Sequence, residues 1–270
     1  MSGPFRRLIR YVICRGLDRL GRVGVEDPRV HAACERYASR IRGENNDAIE
    51  ANGELRFMRE RLPGCCTVFD VGANVGDWAR LALQVNPGVR LHCFEPSAFT
   101  FAKLTAHPFP ANVSCHNIGL GAAAGETSLF LFADGSGMNS LYPRSGLEDG
   151  WNIAKPSRSE TIRIDTLDAF CGAHGVERID FLKMDVEGHE IGVLSGASGL
   201  LGRGAIDVVQ FEYGGCNIDS RTFLKDFFEF FQARGYTLHK IYPDRLVTVA
   251  RYDQRLDNFQ HQNWVAMRPS

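Results

Sequence analysis

Four acidic residues lie at or just after the ends of apolar runs that have the composition of β-strands: Asp70, Glu95, Asp185 and Glu212. Segments with a helical pattern separate most of these runs, which indicates parallel strands joined by helices. In such sheets a ligand binds outside the carboxyl ends of the strands. One acid at a strand end could cap a helix or lie in solvent, whereas four at the same edge predict a binding or catalytic site.

Two glycines indicate where a ligand would lie at that edge. The segment Thr67–Trp78 begins as a β-rich run, turns at Gly72 and Gly76, and continues as a helical pattern. Glycine has no Cβ and tolerates positive φ, so the backbone can approach a ligand closely, beside the unpaired N–H groups of the following helix. Glu95 ends the next strand, and an acid at that position accepts hydrogen bonds from the hydroxyls of an adenosine ribose.

Asn74 stands where the G-x-G-x-x-G motif of dinucleotide-binding enzymes has its second glycine. Close approach of a pyrophosphate is therefore less well supported, and the segment favours a nucleoside without phosphates, such as S-adenosylmethionine. Asp70 would then meet the charged end of that ligand. Two alternatives stay open, an ordinary strand-to-helix turn and an NAD-dependent oxidoreductase on a similar fold.

The segment Asp185–Glu190 carries the densest set of groups that could do chemistry. Asp185 ends a strand, Gly188 allows a tight turn, and His189 opens the next helix. A histidine beside carboxylates could accept a proton from a substrate hydroxyl. Alternatively, His189 is a helix-start residue bonded to a neighbouring acid, and Glu190 complements the helix dipole.

The alternation of strands and helices predicts an α/β fold with a mostly parallel sheet and helices on both faces. Strands are expected near residues 66–71, 90–95, 112–118, 127–132, 161–164, 179–184, 206–211, 236–242, 246–250 and 262–268, and helices near 77–86, 98–107, 167–172, 189–201 and 220–234. The last strands lack helix-length gaps, which predicts an antiparallel hairpin at the C-terminus. Residues 133–158 form either a lid over the site or a disordered insertion.

Composition excludes several classes of protein. A formal charge of −1 argues against a nucleic-acid-binding surface, and the absence of any run of eighteen apolar residues argues against a membrane-spanning helix. The eight cysteines contain no C-x-x-C pair, which fits a cytoplasmic protein better than a disulfide framework or a zinc site.

Residues 1–62 are expected to form a helical extension that precedes the main domain, residues 63–270. Within the extension, residues 4–22 combine apolar residues at helical spacing with six arginines. Such a helix can dock its apolar stripe on the main domain, or it can lie on an anionic membrane surface as a peripheral contact. The interrupting arginines argue against a secretory signal peptide in this segment.

Four segments of the chain resemble the FkbM family of S-adenosylmethionine-dependent methyltransferases: residues 68–78, 94–96, 180–190 and 210–213. The similarity extends from about residue 65 to residue 268. It implies a class I, Rossmann-like methyltransferase fold. It also implies O-methylation of sugars, polyketides or other secondary metabolites.

The resemblance implies a role for each candidate residue. Four would line the methionine end of the cofactor: Asp70, Gly72, Asn74 and Gly76. Glu95 would bind the ribose, and Asn117 would lie near the adenine. Four would face the substrate: Asp185, Glu187, His189 and Glu212.

Transfer of a methyl group requires that the acceptor oxygen be aligned and lose its proton. Asp185 and Glu212 could bind one divalent cation such as magnesium, or His189 or Asp185 could act directly as the base. The expected acceptor is a small molecule, a glycan or a glycolipid. The non-enzymatic alternative is a membrane-associated adaptor that kept the fold and lost activity.

Overall fold

The computed structural model describes residues 11–12, 14–19, 21, 27–148, 153–156 and 158–268. These belong to two compact units, Met1–Asn45 and Asn46–Ser270. In the first unit, residues 11–12, 14–19 and 21 are helical, and the rest of the predicted helix 4–22 lies outside the described residues. Helix α1 follows at Pro28–Arg42, with Asp27 accepting from the backbone N–H of Arg29 at its start. None of the described helices has the length and apolar content needed to cross a bilayer.

The second unit contains all the described strands. They are β1 (Thr67–Val71), β2 (Arg90–Phe94), β3 (Val113–His116), β4 (Gly119–Leu120), β5 (Gly125–Leu131), β6 (Arg158–Asp165), β7 (Ile179–Met184), β8 (Ile206–Tyr213), β9 (Thr237–Ile241), β10 (Leu246–Val249) and β11 (Gln262–Met267). The helices of this unit are α2 (Ile49–Asn52), α3 (Glu54–Arg61), α4 (Asp77–Val85), α5 (Ala98–Thr105), α6 (Leu167–His174), α7 (Glu190–Ser195), α8 (Ser198–Gly202), α9 (Cys216–Ser220) and α10 (Leu224–Gln232).

Eight of these strands form the main sheet, in the order β10-β9-β11-β8-β7-β1-β2-β3. The five strands from β8 to β3 are parallel, and β11, β9 and β10 add antiparallel pairs at one side. The predicted α/β fold with an antiparallel C-terminal hairpin is confirmed. The carboxyl ends of β1, β2, β7 and β8 consequently meet at one edge.

Helices cover both faces of the sheet because its central strands are apolar on both sides. Phe69 and Leu182 face a cluster built with α6, α7 and α10. Their chain neighbours Val68 and Phe181 face a second cluster built with α3, α4 and α5. The ring of Phe227 in α10 stacks on that of Phe211 in β8, and both belong to the first cluster.

Strands β4, β6 and β5 form a separate three-stranded sheet that the sequence pattern did not predict. The chain leaves the main sheet after β3, and β5 then pairs antiparallel with β6. Most residues of β5 and β6 are exposed or only partly buried, so this ribbon resembles a half-exposed hairpin rather than a central strand pair. Its inward side chains, Leu129 and Ile162, are buried.

Two element boundaries also differ from the sequence prediction. The helix expected over residues 189–201 is two short helices, α7 and α8, because the chain bends at Gly196 and Ala197. Glu212 lies within β8 rather than just past its end. The antiparallel partner β11 extends the pairing to Tyr213, which keeps Glu212 in extended conformation.

Two glycine-to-alanine variants test how tightly the residue after β4 packs against the residue after α7. A Cβ on Gly196 would lie 2.0 Å from the carbonyl oxygen of Gly121, so Gly196→Ala forces the backbone apart. We expect a loss of about 1–3 kcal/mol, or a fall of roughly 3–10 °C in the melting temperature.

Gly172→Ala is the matched control, because Gly172 lies exposed in α6 with open space around it. Alanine favours the helix there by about 0.5–1 kcal/mol, so the melting temperature should rise. Equal melting temperatures for the two variants in calorimetry would contradict the packing described here.

Candidate active site

A cleft opens at the carboxyl ends of β1, β2 and β7 and encloses about 710 Å³, including its mouth. Polar residues of its lining come from two places: Gly72, Asn74 and Glu95 from the ends of β1 and β2, and Asp185, Glu187 and His189 from the segment after β7. Apolar residues and a connecting segment complete the wall: Ile118, Leu129, Ile162, Ile164, Ser136, Gly137, Asn139 and Leu141. The structure thus brings six of the predicted site residues to one cleft.

The turn after β1 contacts the end of β7 directly. Gly72 has φ +80°, and a Cβ there would lie 1.8 Å from the carbonyl oxygen of Asp185. Only glycine fits that position without displacing the backbone. Asn74 also has positive φ, at 48°, and its side-chain Oδ1 is buried without a hydrogen-bond partner among the described residues.

Glu95 is held by the same turn. Its Oε2 accepts from the backbone N–H of Asn74 at 3.1 Å, and its Oε1 accepts from that of Ser97 at 2.9 Å. Burial raises the pKa of Glu95 to about 7, although the two N–H donors oppose the rise. A carboxylate offers about four acceptor positions, so two remain for a ligand in the cleft.

Three predicted cofactor residues do not line the cleft. Asn117 supports Glu95 from behind, since its amide donates to the carbonyl oxygens of Glu95 at 2.9 Å and of Pro96 at 3.0 Å. Gly76 has φ +87° and faces Leu104 of α5. Asp70 is completely buried beneath the turn. The structure shows these three as supports, and their direct contact with a cofactor stays a prediction.

Lys183 connects the turn after β1 with the end of β7, and no sequence motif marked it. Its Nζ lies 3.1 Å from Asp70 Oδ1 and 3.6 Å from Asp185 Oδ2, and it donates to the carbonyl oxygen of Gly72 at 3.3 Å. Burial alone would lower the pKa of Lys183, but Asp70 and Asp185 outweigh it and raise that pKa above its ordinary value. Burial raises the pKa of Asp70, and Lys183 opposes the rise. A lysine in the middle of the largely apolar strand β7 was the available signal.

Asp185 belongs to a cluster of three carboxylates. One oxygen from each of Asp185, Glu187 and Glu212 lies within 4.8 Å of the others. Each carboxylate has its own cationic neighbour: Lys183 for Asp185, Arg144 for Glu187 at 2.7 Å and His261 for Glu212 at 3.4 Å. The three carboxylates could hold a cation, but their negative charge is already partly balanced by these three neighbours.

The three acids differ in how readily they ionise. Loss of hydration raises the pKa of Asp185 to about 7, and the nearby charge of Glu212 adds to the rise. Burial raises the pKa of Glu187 well above its usual range. Burial would also raise the pKa of Glu212, but the His261 imidazolium reverses this and lowers it. In turn Glu212 outweighs the effect of burial on His261 and raises the pKa of that imidazole to about 9.

His189 borders the cleft, with one ring nitrogen near a tyrosine hydroxyl and the other packed beside two glycines. Its Nδ1 lies 3.1 Å from the hydroxyl of Tyr142. Its Nε2 lies against Gly121 and Gly192, where an added Cβ would come within 2.9 and 2.4 Å. Burial lowers the pKa of His189, so the ring is neutral at pH 7.

The strand order of the main sheet and the cleft at the ends of β1 and β2 define a class I, Rossmann-like methyltransferase fold. A family model described as the methyltransferase FkbM domain matches residues 70–238. The chain belongs to this family of methyltransferases.

Several characterised proteins are similar to parts of the chain. It is 30% identical over 164 residues to the 31-O-demethyl-FK506 methyltransferase FkbM of Streptomyces tacrolimicus, which covers 53% of this chain and 63% of that protein. It is 28% identical over 149 residues to the 2-O-methyltransferase NoeI of Sinorhizobium fredii, covering 48% and 56%. It is 26% identical over 174 residues to the hexuronic acid methyltransferase AglP of Haloferax volcanii, covering 61% and 66%. The chain spans less than two thirds of the length of these relatives.

Among solved structures, a methyltransferase FkbM from Methylobacillus flagellatus aligns with 75% of this chain and 43% of its own. The sequence identity is 17% and the TM-score is 0.43.

Removing the ammonium of Lys183 should destabilise the protein. Lys183→Met leaves Asp70 buried without its cationic partner, and breaking a buried pair from one side costs about 3–5 kcal/mol. Urea unfolding followed by circular dichroism measures the difference.

The double variant Lys183→Met/Asp70→Asn is the control, because it removes the charge that the single variant leaves unpaired. It should recover most of the lost stability. If Lys183→Met alone unfolds at the urea concentration of the wild type, the ion pair does not have the structural role assigned to it.

Proposed function

We propose that the protein transfers a methyl group from S-adenosylmethionine to a hydroxyl oxygen of a small-molecule, glycan or glycolipid acceptor. The observation that supports this best is that Glu95, the glycine turn and Asp185 line the same cleft. Membership of the FkbM family supports methyl transfer. The names of three relatives, which include a 2-O-methyltransferase and a hexuronic acid methyltransferase, support an oxygen acceptor.

The part of the cleft lined by Gly72, Asn74 and Glu95 fits a nucleoside that carries an amino acid. Glu95 has acceptor positions left for the two ribose hydroxyls. The buried Oδ1 of Asn74, which has no partner among the described residues, can accept from an ammonium group. When bound, S-adenosylmethionine supplies a methyl group on a positively charged sulfur. Ile118 and Ile164 offer apolar surface in the same cleft for the base.

Asp185 is the best placed base for the acceptor. A general base works best when its pKa is near the working pH, and the pKa of Asp185 is raised to about 7. Its side chain remains 38% exposed, so an acceptor in the cleft can reach it. Glu212, whose pKa is lowered, stays ionised beside Asp185 and keeps the pKa of Asp185 high.

A divalent cation such as magnesium is a second candidate for activating the acceptor. Asp185 and Glu212 would be its ligands, and Glu187 could add a third oxygen. Three cationic side chains already face these carboxylates, which favours direct base catalysis over the metal.

Peripheral membrane contact through residues 4–22 stays a prediction, because residues 1–10, 13, 20 and 22 lie outside the described part of the chain.

Glu95→Gln should weaken binding of S-adenosylhomocysteine. The change removes the charge that would accept from the ribose, and hydrogen bonds to a charged group contribute about 1.5–3 kcal/mol. We therefore expect the Kd in titration calorimetry to rise roughly 10- to 100-fold. Glu177→Gln, an exposed loop substitution, should leave the Kd unchanged. An unaltered Kd in Glu95→Gln would place the nucleoside elsewhere.

The rate of methyl transfer should depend on the ionisation of Asp185. Because the base must be deprotonated, the initial rate should rise as the pH increases through about 7 and then level off. Asp185→Asn should lower the rate about 100-fold or more. Release of S-adenosylhomocysteine with a fixed glycan or lipid extract measures both effects. A rate independent of pH between 5 and 9, together with substantial activity in Asp185→Asn, would exclude this base.

Chelation separates the two ways of activating the acceptor. Direct base catalysis predicts full activity after dialysis against EDTA, measured by the same release of S-adenosylhomocysteine. A loss of activity that magnesium restores would instead establish the cation at Asp185 and Glu212.

A further inference from the structure

One wall of the cleft is a connecting segment, residues 136–144, which we call the cover segment. Four of its residues line the cleft: Ser136, Gly137, Asn139 and Leu141. On one side it is attached to β5, since Ser140 and Phe130 exchange backbone hydrogen bonds of 2.8 and 3.2 Å. A nucleoside in the cleft would therefore contact this segment.

On its other side the cover segment is bonded to the turn that carries Glu187 and His189. The Ser140 hydroxyl donates to the carbonyl oxygen of Glu187 at 2.7 Å. The Tyr142 hydroxyl lies 3.1 Å from His189 Nδ1, and Arg144 Nη1 donates to Glu187 Oε2 at 2.7 Å. These contacts tie the cover segment to the same turn that follows Asp185.

The ion pair between Arg144 and Glu187 is stronger than an ion pair on the exposed surface. The side chains of Arg144 and Glu187 are only 11% and 14% exposed, so water screens their attraction poorly. Burial raises the pKa of Tyr142 and lowers that of His189, which keeps the phenol protonated and the imidazole neutral at pH 7. The packing of His189 against Gly192 fixes the ring that Tyr142 meets.

We propose that Tyr142, His189 and Arg144 are positioning residues that latch the cover segment over the bound nucleoside and slow its release. His189 acts through Tyr142 and takes no proton from the acceptor. Arg144 acts through Glu187. This assignment rests on the proposed function, because it needs S-adenosylmethionine or its product in the cleft.

Dissociation of S-adenosylhomocysteine in stopped-flow measurements tests the latch. Tyr142→Phe removes one hydroxyl and no packing volume, and we expect dissociation to accelerate about three- to tenfold with association unchanged. Arg144→Gln should have a larger effect, and Arg144→Lys should recover part of it. Tyr252→Phe is the matched control, since Tyr252 donates to Asp257 and does not line the cleft.

Limited trypsin digestion tests the same contact without any ligand. Cleavage between Arg144 and Ser145, identified by the masses of fragments 1–144 and 145–270, should be several-fold faster in Tyr142→Phe than in the wild type. If the wild type fails to bind S-adenosylhomocysteine, the proposed function fails, whereas faster cleavage still supports the latch. Unchanged dissociation and cleavage rates in Tyr142→Phe would overturn the proposal.

The pH profile distinguishes positioning by His189 from proton transfer. His189→Asn should release S-adenosylhomocysteine faster and keep the rise in rate near pH 7 that Asp185 produces. Loss of that rise in His189→Asn, with dissociation as slow as in the wild type, would make histidine the base and would also overturn the proposal.

Discussion

One buried ammonium group connects the two halves of the candidate active site. Strands β1 and β7 pair in a register that sets Asp70 opposite Lys183, and Lys183 reaches Asp185 and the carbonyl oxygen of Gly72 from that position. The glycine turn and the acid at the end of β7 are therefore held by the same side chain. Burying an ion pair has a large desolvation cost. The role of the Asp70–Lys183 pair is therefore better explained by how it positions the site than by a net gain in stability.

The charges around Asp185 divide the chemical roles among the carboxylates. Burial raises the pKa of Asp185 into the neutral range, and the negative charge of Glu212, which His261 keeps ionised, adds to that rise. Helix α3 contributes to the same network, because Glu54 accepts from Gln210 at 2.6 Å and from Asn263 at 3.0 Å. Residues 46–62, predicted as part of a helical extension, therefore supply a partly buried acid that bonds to the main sheet.

Local patterns in the sequence were enough to predict most strands of the main sheet, and the cleft forms at the edge where they end. Strand β7 has the predicted bounds because its apolar run is unbroken apart from Asp180 and Lys183. Contacts between residues far apart in the chain were not predictable in the same way. No motif marks His261 as the partner of Glu212, and nothing local shows that residues 136–144 bond to the turn of Glu187 and His189. The second sheet also escaped prediction, because an alternating strand pattern does not reveal which sheet the strand will join.

The most direct test of this account is a crystal structure of the protein with S-adenosylhomocysteine. The account predicts that the ribose hydroxyls lie within hydrogen-bonding distance of Glu95, that the amino-acid end lies against Gly72 and Asn74, and that the sulfur faces Asp185. A nucleoside bound outside this cleft, or bound in it with the sulfur turned away from Asp185, would contradict it.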